Sequence, residues 1–154
     1  MKPGWDTVEL KGLSFVRASQ APHVLLGLAA EQRVVMIPVG MHEAQAVLEA
    51  LDPDVPADTA YDVVSQLIAA EGLSPQHLEI DRSEAGDLVG GFTYGDARRL
   101  DLSAGRGLAL AAKVGVPVYM RRGVARSLSV ALKDADLSSS EMFFAPPSSG
   151  NDHR

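Results

Sequence analysis

Arg106 stands between Gly105 and Gly107, directly before the apolar run Leu108 to Val114. A helix starting there offers backbone N–H groups to an anion, and two glycines without side chains let a phosphate come close. The guanidinium adds a permanent positive charge, so the chemistry to expect is holding a phosphate group or stabilising charge on it. Arg98 and Arg99, on the strand that leads into this turn, complete a set of three candidate phosphate-binding residues. A lone Gly-x-Gly is a weak signal, however, and close helix packing explains the same glycines equally well. Ser103 has no histidine near it in sequence to activate its hydroxyl and reads as an N-cap. His42 lacks the second histidine, four residues on, that a helical zinc pair needs. His23 and His77 fall at strand or turn positions and read as surface or hydrogen-bonded residues. With no cysteine in the chain, disulfides and thiolate metal sites are excluded.

The charge distribution sharpens this reading. The net charge is −6, which argues against a general nucleic-acid binder. Residues 1–95 carry 5 basic and 14 acidic side chains, whereas residues 96–133 carry 8 basic and 2 acidic ones. Two explanations compete. The basic segment forms a face that attracts a polyanion, or its arginines pair with the acidic N-terminal half across the fold.

The elements that must position these residues follow from hydrophobic period and turn residues. Val8 to Arg17, His23 to Leu28 and Arg33 to Val39 are expected as three strands of a meander. From Gly40 the period changes: Ala44, Val47, Leu48 and Leu51 mark a helix that ends before Asp52-Pro53. A second helix is expected from Asp58 or Thr59 to Gly72, its stripe of Tyr61, Val64, Leu67 and Ile68 packed on the sheet. Leu78 to Arg82 and Asp87 to Tyr94 read as strands around the turn Ser83 to Gly86. Gly90-Gly91 signals a bulge or a close backbone approach. Ala97 to Leu102 is expected as a strand, Leu108 to Val114 as a helix stopped by Gly115, Val116 to Met120 as a strand and Val124 to Leu132 as a last helix. Together these give a mixed α/β (α+β) domain with a largely antiparallel sheet, covering residues 1–137. A Ser-, Pro- and Gly-rich tail, 138–154, is expected to be disordered, with Met142-Phe143-Phe144 as a terminal anchor. No apolar run reaches the roughly 20 residues of a membrane span, so the default location is cytoplasmic.

Three segments carry a family resemblance over about residues 7 to 130. In Val34 to Leu51, a strand ending Ile37-Pro38-Val39-Gly40 leads to a helix that opens with Glu43-Ala44. Ala57 to Asp62 stands where the family has Arg-Pro-x-Thr-His-Asp, so that Tyr61 replaces the histidine and Asp62 is kept. Asp101 to Gly107 stands where it has Asp-x-Arg-Pro-Ser-Asp-Ala, so that Asp101 is kept and Arg106 replaces the second aspartate. Val116-Pro117-Val118-Tyr119 follows as the family's apolar strand. In order and spacing the chain resembles the bifunctional nuclease domain family, whose members act on DNA and RNA.

The resemblance implies metal-assisted phosphodiester hydrolysis. Such chemistry needs carboxylates that converge on Mg²⁺ or Mn²⁺ to activate a water. The matched carboxylates are Glu43, Asp62 and Asp101, with Arg98, Arg99 and Arg106 to hold phosphate. Each carboxylate also sits near a predicted helix start, where the helix dipole alone favours it. The alternative is a catalytically inactive member that serves as an anion- or nucleic-acid-binding module, or as an oligomeric protein-interaction module. A homo-oligomer, most simply a dimer, is expected in either case.

Overall fold

The structure is a computed structural model that describes residues 3–16, 21–28 and 32–131, together with the backbone of 140–144. Trp5–Val16 (β1), Ala21–Leu28 (β2) and Arg33–Pro38 (β3) form the antiparallel meander. Met41–Leu51 (α1) and Ala60–Ala70 (α2) follow, and then a second meander, Pro75–Arg82 (β4), Leu88–Tyr94 (β5) and Arg98–Ser103 (β6). Ala104–Val114 (α3) crosses back to Val118–Arg121 (β7), which lies parallel to β4 and antiparallel to β1. β7 thereby joins the two meanders into one sheet of order β6-β5-β4-β7-β1-β2-β3, completed at its far edge by Val130–Ala131 (β8). The short helix Arg122–Leu128 (α4) links β7 to β8. The backbone of Ser140–Phe144 (β9) pairs antiparallel with Gly12–Val16 of β1; it lies within the stretch assigned to the tail. No helix among the described residues is long and apolar enough to cross a membrane.

The alternation of strand side chains decides which face is covered. Leu78, Ile80, Phe92 and Met120 from the second half join Leu13, Val24, Leu26, Val35 and Ile37 from the first in one core, closed by Ala44 and Val47 of α1 and Leu108 of α3. The intervening residues of β4, β6 and β7, namely His77, Glu79, Asp81, Arg99, Asp101, Tyr119 and Arg121, therefore lie on the opposite face.

Three expectations are corrected. The helix expected from Leu108 starts at Ala104, with Ser103 as its N-cap accepting the Arg106 backbone N–H at 3.4 Å. The small residues that read as a turn are its first turn, because they bring the helix against the sheet. A Cβ on Gly107 would stand 2.8 Å from Leu78 Cδ1 and 3.7 Å from Gly90 Cα. The close approach anticipated at Gly90 is thus made by α3. In α2, Val64 and Leu67 are exposed and only Ile68 is buried. This helix packs chiefly on α3, not on the sheet, which moves its contact line to Tyr61, Ser65 and Ile68. The last helix is Arg122–Leu128 instead of Val124 to Leu132, because the chain turns at Ser129 to pair with β3. Gly107→Val should cost about 1–3 kcal/mol by overpacking this contact. Urea unfolding measures it, and an unchanged midpoint would show that α3 can back away from β5 freely.

Candidate functional site

Gly40 opens α1 in extended backbone and places Glu43 in the first turn, where the dipole favours a carboxylate. Glu43 Oε2 accepts a hydrogen bond of 2.7 Å from the Tyr61 hydroxyl in the first turn of α2, tying two helix starts together. Burial and this bond hold the Tyr61 proton firmly, with its pKa raised well above the usual phenol value. The positive charge of Arg106 acts in the opposite direction, which places its guanidinium within electrostatic reach of the pair. A cleft of about 450 Å³ opens here, lined by Val39, Glu43, Asp87, Ser103, Gly105 and Arg106 among others. Positions 43, 61 and 106 thus gather at the starts of α1, α2 and α3. By resemblance they would carry glutamate, histidine and aspartate; here they carry Glu43, Tyr61 and Arg106. Two side chains of types that can ligate a metal are thus replaced by a phenol and a cation.

Asp62 serves a different task. It closes a capping box with Thr59, accepting from the Thr59 N–H at 2.9 Å and the hydroxyl at 3.0 Å. Its other oxygen faces Lys113 Nζ at 2.6 Å, and Lys113 also meets Glu49 at 2.5 Å. The bond from Lys113, against some burial, holds the Asp62 carboxyl down to about 2. For Lys113, burial favours loss of the proton, but the two carboxylates outweigh it and raise the pKa. Glu49 further accepts from the Asp58 N–H and from Gln45. This cluster fastens α1, α2 and α3 together.

Asp101 lies on the other face of the sheet, 81% exposed and 2.8 Å from Arg99 Nε. Arg99 also reaches Glu79 Oε1 at 3.2 Å, and its pKa is raised chiefly by Asp101. Arg98 sits at the outer end of β6 with its guanidinium 5.8 Å from the centre of the Tyr94 ring, and it lines a second cleft with Leu73 and Asp96. The three candidate arginines therefore occupy three places, as do the three candidate carboxylates. Much of the basic segment is neutralised across the fold: Arg121 pairs with Asp81 at 2.7 Å, Arg122 with Asp6 at 3.0 Å, Lys113 with Glu49 and Asp62, and Arg99 with Glu79. Lys133 lies outside the described residues.

A magnesium or manganese ion needs several oxygens around one point. Asp62 is committed to Lys113, Asp101 to Arg99 on the far face, and Glu43 shares its cleft with Arg106. Among the described residues no three His, Asp or Glu side chains are grouped to hold a metal. The donor set does not fit the ion that the resemblance implies.

One constellation escaped the sequence reading. His77 Nε2 lies 3.0 Å from Glu79 Oε2, beneath an edge contact with Tyr119 whose ring centre is 5.4 Å away. The available signal was His-x-Glu in a strand, two residues apart and so on one face. Its meaning depended on Arg99 arriving from a strand 20 residues away.

The chain matches the family model described as "Bifunctional nuclease domain" over residues 24–133. Two proteins of Mycobacterium tuberculosis are similar to it, "Uncharacterized protein MT1877" of strain CDC 1551 / Oshkosh and "Uncharacterized protein Rv1829" of strain ATCC 25618 / H37Rv. Each is 26% identical over 128 residues, covering 82% of this chain and 78% of the relative. Because the match to the family model covers more than two thirds of its length, the chain belongs to the bifunctional nuclease domain family.

Proposed function

We propose that this domain binds nucleic acid through the cleft at Arg106 and does not perform the metal-assisted hydrolysis that Glu43, Asp62 and Asp101 would carry out with Mg²⁺ or Mn²⁺. The observation that carries the reading is that Glu43 and Arg106 line one cleft, at positions where the resemblance would place two acids. A cation there repels a divalent metal and attracts a phosphodiester. The start of α3, with Ser103 as its cap, contributes backbone N–H groups and a hydroxyl on the same side. Ion pairing of Arg99, Arg121 and Arg122 keeps the binding local, so affinity is modest and its salt slope is shallow, set by few phosphate contacts.

The test uses labelled single-stranded DNA. Binding read by fluorescence anisotropy should appear at low salt, and Arg106→Ala should reduce the slope of log K against log salt by about 1. The DNA should remain intact with Mg²⁺ or Mn²⁺ as it does with EDTA. Metal-dependent cleavage that Asp101→Ala abolishes would overturn the reading in favour of surviving hydrolysis. No binding even at low salt would leave a protein-interaction domain.

A further inference from the structure

One edge of the sheet is left open. β6 ends the strand order, and among the described residues no strand pairs with its outer side. All but one of its six residues are exposed, and that one, Leu102, is half-buried. Such an edge presents unpaired N–H and C=O groups, which proteins usually blunt with a short strand, a bulge, a proline or a cover. The opposite edge is a short strand, since β8 is only Val130–Ala131. β6 has no such protection. It contains no proline, its register with β5 runs unbroken from Arg98 to Ser103, and nothing among the described residues buries it. What remains is charge, and the order of the charges decides what this edge admits.

Side chains alternate across the sheet. Leu100 stands opposite the buried Phe92, so Arg98, Leu100 and Leu102 lie on the helix side and Arg99 and Asp101 on the other. Leu100 is nevertheless 45% exposed, because α3 packs more on β5 than on β6. Two copies of this edge can meet antiparallel only about a twofold axis perpendicular to the sheet. The helix sides of both copies then lie together, and residues of the same side oppose each other. Centred on Arg99, such a pairing sets guanidinium against guanidinium; centred on Asp101, it sets carboxylate against carboxylate. Like charges directly opposite destabilise a pair of strands. Centred on Leu100, each Arg99 faces Asp101 of the second copy, and the two Leu100 side chains face one another. Opposite charges and apolar side chains in those positions stabilise the pairing.

We propose that β6 is a homodimer interface, where a second copy of this chain adds its own β6 antiparallel in the register centred on Leu100. The occupant is a second copy because Arg98-Arg99-Leu100-Asp101-Leu102 complements its own reverse in charge, with cation against anion on both sides of an apolar centre. The two sheets become one, and the open edge disappears. The register also reaches the cleft. Leu102 faces Arg98 of the second copy on the helix side, and the next residue, Ser103, lines the cleft at Arg106. Each cleft of the dimer therefore gains a guanidinium beside its rim. That consequence rests on the reading of the cleft as an anion site, whereas the interface does not.

Sedimentation equilibrium of the full chain should give twice the 16.3 kDa of one copy. Asp101→Arg sets like charges opposite at both ends of the pairing and should raise the dissociation constant about tenfold or more. Asp101 is 81% exposed, so the fold should tolerate this change, which far-UV circular dichroism checks. The register is read with thiols. Because the chain has no cysteine, Leu100→Cys supplies one per copy, and mild oxidation should join two copies across the axis. Asp101→Cys should not cross-link, since its two thiols are offset by two residues. The Leu100→Cys result decides the matter even if Asp101→Arg does not fold. A mass of one copy at every concentration would overturn the proposal. So would a dimer that Leu100→Cys fails to cross-link, or one that Asp101→Cys cross-links instead. Arg98→Ala should keep the doubled mass and weaken single-stranded DNA binding several-fold. A dimer that binds no DNA would remove the anion-site reading and leave the interface standing.

Discussion

Replacing Lys113 with methionine is expected to lower the unfolding free energy by about 3–5 kcal/mol at neutral pH. Methionine keeps most of the volume and can lie along the same channel, so the loss is mainly electrostatic. It would leave Glu49, with 1% of its side chain exposed, and Asp62 facing one another without a cation. Since a domain of this size is stable by only about 5–15 kcal/mol, much of the margin would go. The pH dependence separates this cause from lost packing. The Asp62 pKa falls on folding, from about 3.9 in the unfolded chain to about 2. In the wild type its contribution is present above the unfolded value and lost as pH falls through about 2. The Lys113 pKa is raised, so its contribution is full below the unfolded lysine value near 10.4 and lost only at higher pH. Between about pH 5 and 9 the gap between wild type and variant should therefore be flat. Below pH 4 it should narrow, because protonating a carboxylate removes the unpaired charge. Urea unfolding at several pH values measures this; a gap that persists unchanged into acid would point to packing instead.

The same cluster shows what a sequence can disclose of this molecule. The strands and helices were legible because each rests on local period and local turn residues: the meander of β1 to β3, the α1 stripe through Ala44 and Val47, and the hairpin around Ser83 to Gly86. Gly115 was legible as a stop because its left-handed backbone, φ 77°, favours a residue without a Cβ. The start of α3 was not, since two glycines argue against helix locally and only the contact with Gly90 and Leu78 overrides them. The exposure of Val64 and Leu67 also escaped, because a helical stripe does not say which neighbour covers it. The candidate site was less legible still. Glu43 meets Tyr61 across 18 residues and Glu49 meets Lys113 across 64, and neither spacing has a pattern. Family positions pointed to Glu43, Asp62 and Asp101 as one set. The fold gives one to a cleft, one to an ion cluster and one to the opposite face.

Restoring two residues in the cleft, Tyr61→His with Arg106→Asp, is expected to produce binding of Mn²⁺ that the wild type lacks. The argument is one of charge and donor type. In the wild type, Glu43 faces a phenol that keeps its proton and a guanidinium that repels cations. In the double variant it faces an imidazole and a second carboxylate, both good ligands for Mn²⁺. An ion present at 100 times its dissociation constant stabilises the folded state by about 2.7 kcal/mol. For a chain of this length, that is roughly 5–10 °C in Tm. The rise should reverse with EDTA and disappear when Glu43→Gln is added, whereas adding Asp101→Ala should leave it intact, because Asp101 is on the other face. Neither single replacement suffices: Tyr61→His alone keeps the repelling cation, and Arg106→Asp alone keeps a phenol that donates to Glu43. If the double variant also cleaves DNA with Mn²⁺, then two side chains separate this domain from the hydrolysis implied by its family. If it binds Mn²⁺ without cleaving, the scaffold has diverged beyond those two positions. If Mn²⁺ has no effect, the gathering of three helix starts does not make a metal site, and the cleft belongs to anion binding by its backbone as well as by Arg106.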